Sequence, residues 1–288
     1  MSASTQQNAI MSNINTWRPR IFTAFTGILA FVFVIIIGAV TMLEVTNIQE
    51  EIHRWHQAEL AALGVMLLGG AMMSLLWRPQ QKPLLVQFFG LSVILLSIGI
   101  GFFQIQALGL IVLALAFMAV YPRTGDLFRF WHKGAVGISS LVLSLIAAVL
   151  YLPEAWMELK WQIVGMTTHD VHALQFHWIA SAVLIVLLVL AGVLASTRRP
   201  GWKELSVIAG GTFCYLGLIA MIAPDLTGSW GGARGMFAII IGIWHILIPL
   251  LNTRKAEVSE PEIAQITQKQ VVQAVPARRK TQQLVGAH

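Results

Sequence analysis

The chain has 288 residues, of which 57% are hydrophobic and 11% are charged, and its formal net charge is +6. A soluble domain carries about 25% charged residues, so this composition excludes an ordinary soluble enzyme. The single cysteine, Cys214, also excludes an intrachain disulfide and a multi-cysteine metal site.

Apolar runs along the chain predict eight membrane-spanning helices, because about 20 apolar residues are needed to cross the hydrocarbon core as a helix. Pro153 is expected to end the fifth span, and a loop of roughly 20 residues, rich in Trp, Glu and His, to lead into the sixth. The predicted fold class is therefore an all-α polytopic membrane protein. The spans fall at about residues 21–43, 59–77, 84–103, 108–121, 135–152, 174–195, 205–222 and 236–251.

Lysines and arginines decide the predicted orientation, because cytoplasmic loops carry an excess of them. With both termini inside, all but three of the 19 basic residues fall on the cytoplasmic side, the exceptions being Arg54, Lys160 and Arg234. We therefore expect both termini in the cytoplasm, in a bacterial plasma membrane. The positive net charge then reflects topology, and no nucleic-acid partner is expected.

Polar segments flank and divide the predicted spans. Residues 1–20 form a tail that lacks the basic-then-apolar order of a signal peptide, and residues 123–134 form a cytoplasmic linker. Residues 252–288 are polar and predicted to be disordered, the alternative being a surface helix drawn to anionic lipid headgroups.

The chain also contains an internal repeat displaced by 121 residues. Each copy holds four spans, an even number, so both copies insert with the same orientation and are related by an axis along the membrane normal. The prediction is two tandem parallel four-helix bundles, residues 21–122 and 135–251. The repeat aligns His177 with His56, Pro200 with Pro79, Lys203 with Lys82, Leu205 with Leu84 and Gly211 with Gly90.

Neutral imidazole is a good axial ligand for haem iron, and two histidines on facing helices of a bundle can hold a haem between them. His177 in the sixth span and His245 in the eighth are therefore the predicted iron ligands of a haem b, with His56 as a further cofactor-binding residue. The alternative makes His245 a core histidine bonded to a carbonyl and the others headgroup-level residues. Five histidines lie in or beside two predicted outer loops: His53, His56, His169, His172 and His177.

Acidic residues accompany these histidines, among them Glu50, Glu59 and Asp170. One interpretation is a solvated acidic rim. The other is that a carboxylate moves protons or orients a ligand histidine.

The layout resembles the heme A synthase family, which has eight spans in two similar four-helix bundles with histidines at spans 2, 4, 6 and 8. The stretch Glu50-Glu51-Ile52-His53-Arg54 has the family's Glu-x-x-His-Arg form, and Gln175-Phe176-His177 resembles the opening of its span 6. His245 resembles the span 8 histidine, whereas span 4 here has no histidine. The resemblance implies a haem O substrate in the first bundle, with Glu50 and His53 as catalytic residues, and haem b in the second.

Two functions follow from these patterns. The first is a haem-binding membrane protein with a redox role, either haem modification or electron transfer, at the outer membrane face. Its partners would be membrane lipids, a haem substrate, and a second copy of the chain or a respiratory-chain assembly partner. The second is a haem-free transporter, assembly or scaffold subunit with interfacial or metal-binding histidines. The absence of Asp, Lys and Arg from mid-span argues against a transporter, and the absence of basic or acidic pairs in the membrane also argues against a proton-coupled pump.

Overall fold

The computed structural model describes residues 3–46, 54–128 and 136–252, and the side chains of 17–43, 54–128 and 136–252. All regular structure in these ranges is helical and contains no strand, which confirms the all-α class. The predicted catalytic residues Glu50 and His53 lie outside the described residues. So do residues 129–135 of the linker and the predicted disordered tail from residue 253.

The first half of the chain begins with α1, which continues through a π-helical turn into α2. One further π-helix and two 3₁₀ turns interrupt the helices that follow. The elements are α1 (Ala3–Phe31), a π-helix (Val32–Ile37), α2 (Gly38–Thr46), α3 (Arg54–Leu60), a π-helix (Ala61–Gly69), α4 (Gly70–Leu76), a 3₁₀ turn (Pro79–Gln81), α5 (Pro83–Gly101), a 3₁₀ turn (Ile105–Leu108), α6 (Gly109–Val120) and α7 (Thr124–Leu127).

Residues 136–252 of the second half contain five helices. They are α8 (Ile138–Thr168), α9 (Val171–Leu174), α10 (His177–Ser196), α11 (Trp202–Ile222) and α12 (Gly231–Asn252).

Seven helical segments in the described part of the chain are long and apolar enough to cross a membrane, as expected of an integral membrane protein. The predicted fourth span corresponds to Ile105–Val120, which is apolar but shorter than the others. The seven longer segments are Trp17–Leu43, Arg54–Leu76, Pro83–Gly101, Ile138–Thr168, His177–Ser196, Trp202–Ile222 and Gly231–Asn252.

The prediction that Pro153 ends the fifth span is wrong, because α8 continues through this proline to Thr168. A proline inside a helix removes one backbone hydrogen bond, but neighbouring helices can hold such a helix together in a membrane protein. Here Tyr151 and Ala155, on either side of the proline, are both buried. The longer helix carries Glu158 and Gln162 into the interior, where both side chains are buried.

Helix α10 is the most deeply buried candidate span and packs along α8 and against α5 and α11. Its contact with α5 is close, since a Cβ atom on Gly99 would lie 3.1 Å from Ile179. The hydrophobic core therefore continues from one half of the repeat into the other.

Polar contacts join the two halves of the chain where α4 and α10 end and α5 and α11 begin. Lys82 forms an ion pair of 3.1 Å with Glu204 and donates a hydrogen bond to the Ser74 carbonyl. The buried Arg199 guanidinium donates 2.5 Å hydrogen bonds to the Gln87 side chain and the Asp126 carbonyl. Burial lowers the pKa of Arg199 from its ordinary value, and nearby Asp126 opposes that shift.

Candidate functional site

Three histidines from both halves of the chain lie together at the opposite end of these helices. His56 is in α3, His172 is in α9 and His177 is the first residue of α10. The ring centroid of His56 is 5.0 Å from that of His172 and 5.1 Å from that of His177, and the other two rings are 6.0 Å apart. Glu59 is hydrogen-bonded to His56. The three histidines and Glu59 together are called the histidine centre.

A tight reversal between α8 and α10 places His172 and His177. Phe176 adopts a left-handed backbone conformation with φ of 61°, which turns the chain directly into α10. The buried Gln162 amide fixes this reversal from α8. Its Nε2 donates to the Ala173 carbonyl at 2.7 Å, and its Oε1 accepts from the Ile179 backbone N–H at 3.1 Å.

Carboxylates contact two of the three imidazoles. Glu59 Oε2 lies 3.0 Å from His56 Nδ1 and also accepts a hydrogen bond from the Ser181 hydroxyl. Asp170 Oδ1 lies 3.4 Å from His172 Nδ1, and Asp170 Oδ2 accepts from the Trp178 indole at 2.9 Å. The hydrogen bond from Trp178 lowers the pKa of Asp170 from its ordinary value, and His172 adds to that shift. The Nδ1 contacts set the orientation of both rings.

Polar atoms of the centre are buried without enough hydrogen-bond partners. Among the described residues, His56 Nε2, Glu59 Oε1 and Glu158 Oε2 have none. Glu158 is only 1% exposed and lies near Glu59, so the two carboxyl groups cannot both be ionised without repelling each other. Most buried polar groups in proteins are hydrogen-bonded, so these exceptions require an explanation.

Aromatic side chains and one connection cover the histidine centre. Trp178 contacts the His56 ring edge-on, with ring centroids 4.7 Å apart. The connection between α11 and α12, residues 223–230, passes over both rings at Gly228, where φ is +84°. A Cβ atom there would lie 3.2 Å from Trp178 and Trp55 and 3.4 Å from His56. Gly228 therefore permits both the backbone conformation and the close approach.

A cavity of about 270 Å³ lies beside the centre, between the C-terminal part of α8 and the covering connection. Trp161, Asp170, Trp178 and Thr227 are among its lining residues. Trp178 and Asp170 also contact His172, so they separate the cavity from the imidazoles.

The structure does not bring His245 to the histidine centre. Its imidazole is fully buried, stacks on Phe213 and would lie 3.1 Å from a Cβ atom on Gly192. Ser206 donates a hydrogen bond of 2.7 Å to its carbonyl. Gly192 follows His177 by 15 residues in α10, a separation of about 22 Å at 1.5 Å per residue. The predicted pairing of His177 and His245 on one haem iron therefore does not fit this arrangement, because His245 lies too deep.

The close histidines do not fit a bis-histidine haem either. Two axial imidazoles bind the iron from opposite faces of the macrocycle. The His56 and His177 rings face each other at 5.1 Å with an interplanar angle of 35°, which leaves no gap for a macrocycle between them. Haem binding by other means stays a prediction. In addition, no group of three or more His, Cys, Asp or Glu side chains within the described ranges can hold a metal ion in its present conformation.

The predicted site residues His56 and His177 both lie in the centre. Glu59 and Asp170, for which a role in orienting a histidine is one interpretation, both contact an imidazole. Glu158 is not among the predicted site residues, because the fifth span is predicted to end at Pro153. No protein-family model, curated protein or solved structure matches this chain. The resemblance to heme A synthases therefore stays a prediction from short motifs.

Proposed function

We propose that this protein is a haem-free integral membrane protein that binds a cation from the outer side of a bacterial plasma membrane, as the binding step of a transporter. The observation that supports this function is the grouping of three imidazoles, of which those of His56 and His172 are buried and that of His177 is half-buried, with the buried carboxyl groups of Glu59 and Glu158. The groups come from α3, α8, α9 and α10, and so from both halves of the repeat.

Electrostatics favours a cation at this place. An ionised carboxylate in an apolar interior costs several kcal/mol unless a positive charge or a proton compensates it. Glu59 faces a histidine, whereas no ion pair of Glu158 occurs among the described residues. Ionisation of both carboxyl groups would place two like charges close together, and a cation bound beside the imidazoles would offset that repulsion.

The membrane orientation in this proposal has eight spans, with Ile105–Val120 as the fourth, and both termini in the cytoplasm. The contacts of Lys82 and Arg199 then lie on the cytoplasmic side, where the basic loops are expected. The histidine centre then lies near the outer face, with the 270 Å³ cavity beside it.

The geometry supports this function better than the two alternatives. None of the described histidine pairs has the opposed arrangement of a bis-histidine haem, which supports the haem-free alternative. A scaffold subunit needs no buried carboxyl groups, because well-packed apolar side chains of similar volume hold a fold at least as well.

Ligand-dependent stability tests the proposal. The protein in mild detergent, freed of ions by a chelator, is heated in the presence of Na⁺, K⁺, Mg²⁺, Ca²⁺, Mn²⁺ or Zn²⁺. A ligand at 100 times its Kd stabilises the folded state by about 2.7 kcal/mol, so at least one cation should raise the Tm. Glu59→Gln should remove most of that rise, and Ser181→Ala, which keeps the carboxyl group, should weaken it less.

Glu154→Gln is the matched control, because Glu154 lies one turn before Glu158 in α8 and pairs with Arg234 instead. This variant should respond to the cation as the wild type does. A wild type whose Tm responds to no cation in the panel, or responds no more than Glu59→Gln, would overturn the proposed function.

A further inference from the structure

We infer that the cation is a divalent first-row transition-metal ion, such as Zn²⁺, bound by the imidazole nitrogens of His56, His172 and His177. The inference rests on the proposed function and names the class of ion that the histidine centre takes.

The spacing of the three rings is that of histidine ligands around one ion. A Zn–N bond of about 2.0–2.1 Å and a tetrahedral angle place the centroids of two ligand rings about 5 to 5.5 Å apart. The observed separations are 5.0, 5.1 and 6.0 Å. The rings are therefore in position, although their nitrogens do not yet converge. Binding of the ion requires the imidazoles to rotate about their side-chain bonds until one nitrogen of each ring reaches a common point.

Carboxylate contacts provide a second, independent observation. Histidines that bind metals usually present their other nitrogen to a carboxylate or carbonyl, which fixes the ring and raises its basicity. Glu59 and Asp170 contact the Nδ1 atoms of His56 and His172 in this way. His56 Nε2 is buried and has no hydrogen-bond partner among the described residues, as expected of a nitrogen kept for a ligand.

The donor type selects the class of ion. Imidazole nitrogens suit zinc, copper, nickel and iron, whereas Mg²⁺ and Ca²⁺ require oxygen ligands. Structural zinc sites are closed by four protein ligands, whereas sites with three protein ligands keep a position open. Three histidine ligands therefore indicate an ion that the protein exchanges. A structural ion that stabilises the fold would have four protein ligands.

Zinc binding to the full-length protein in mild detergent tests this inference. Equilibrium dialysis with elemental analysis should give one zinc per chain, and X-ray absorption should give imidazole nitrogens at about 2.0 Å. Replacing His56, His172 or His177 by Ala should each lower the zinc affinity more than a hundredfold. Glu59→Gln removes only the contact that orients His56, so it should lower the affinity by about 10- to 100-fold.

His169→Asn is the matched control. His169 belongs to the same reversal and is exposed, and asparagine tolerates its left-handed backbone conformation. This variant should bind zinc as the wild type does. If any of the three His→Ala variants does not fold, the corresponding His→Gln variant replaces it.

The outcomes separate this inference from the proposed function. Zinc that binds equally to all variants, or through oxygen ligands alone, would overturn the inference. Absence of zinc binding by a protein whose Tm another cation raises would overturn the inference and leave the proposed function standing. Absence of any cation response would overturn both.

Discussion

Individual side chains in the histidine centre are arranged as ligand and support. His56 and His172 provide the imidazoles, and the carboxyl groups of Glu59 and Asp170 contact one nitrogen of each. Ser181 and Trp178 in turn donate to these carboxyl groups. Each imidazole orientation therefore depends on a short chain of polar contacts, which single substitutions can test.

Asp170 should make a pH-dependent contribution to stability. Its pKa in the folded protein is lowered from 3.8, so its stabilising contribution is present above that value and is lost as the pH falls through the folded pKa. Asp170→Asn keeps the side-chain shape but not the charge. The Tm of the wild type should exceed that of the variant at pH 6, and the difference should shrink below about pH 4. A difference that is constant from pH 6 to pH 3 would contradict this role.

The two histidines first expected to share a haem provide another test at the residue scale. His245 of α12 lies beside Gly192, which is about 22 Å along α10 from His177. We therefore expect no b-type signal that depends on both histidines. A reduced-minus-oxidised visible spectrum of the wild type, His177→Ala and His245→Ala checks this. A b-type spectrum that disappears in both variants would contradict the placement of His245.

Helices could be predicted from hydropathy wherever the apolar run and the helix end together, as in α10 and α11. The end of α8 could not, because the polar residues after Pro153 give no apolar run. Their burial depends on contacts with the other helices. In the same way, the spacing of His169 and His172 suggests a shared helix face, whereas the turn at Phe176 decides that His172 lies inside. Neither the contact of His56 with the second half nor the role of residues 223–230 follows from local sequence.

Close helix packing around His245 depends on a glycine of α10. A Cβ atom on Gly192 would collide with the Ser144 hydroxyl and press on the His245 ring. Gly192→Ala should therefore lower the free energy of unfolding by about 1–3 kcal/mol, the usual cost of overpacking. Thermal or denaturant unfolding in detergent measures it.

Gly27→Ala in α1 is the control, because a Cβ atom at Gly27 would meet nothing within 4 Å. An alanine in a helix interior is favoured over glycine by about 0.5–1 kcal/mol, so this variant should be slightly more stable. If Gly192→Ala were equally stabilised, the packing of α10 against His245 would differ from that described.

At the scale of the whole molecule, the two halves of the repeat share one core and contribute jointly to both polar ends. Lys82 of the first half pairs with Glu204 of the second at one end, and His56 meets His172 and His177 at the other. The repeat predicted equivalent positions for His56 and His177, but placed them in separate bundles. Their contact could not be predicted, because a sequence repeat does not specify how its copies pack.

The proposed orientation can be tested in cells with single cysteines. After Cys214→Ser, Gln104→Cys should react with a membrane-impermeant thiol reagent added outside, and Gln81→Cys should react only after the membrane is opened. These two turns lie before and after α5, so the crossing of α5 and the positive-inside distribution place them on opposite sides of the membrane. Labelling of both positions from the same side would contradict the crossing of α5 and with it the proposed orientation.

The central claim is that the buried carboxyl groups serve a ligand and not the fold. The most direct measurement is the Tm of cation-free Glu158→Gln and Glu154→Gln, compared with the wild type. Burying an ionisable carboxyl group beside a second one costs free energy, so Glu158→Gln should raise the Tm of the cation-free protein, as expected where function is maintained at the expense of stability. Loss of the Arg234 ion pair should leave the Tm of Glu154→Gln equal to or slightly below that of the wild type. A Glu158→Gln variant that unfolds at a lower temperature than Glu154→Gln would contradict the account.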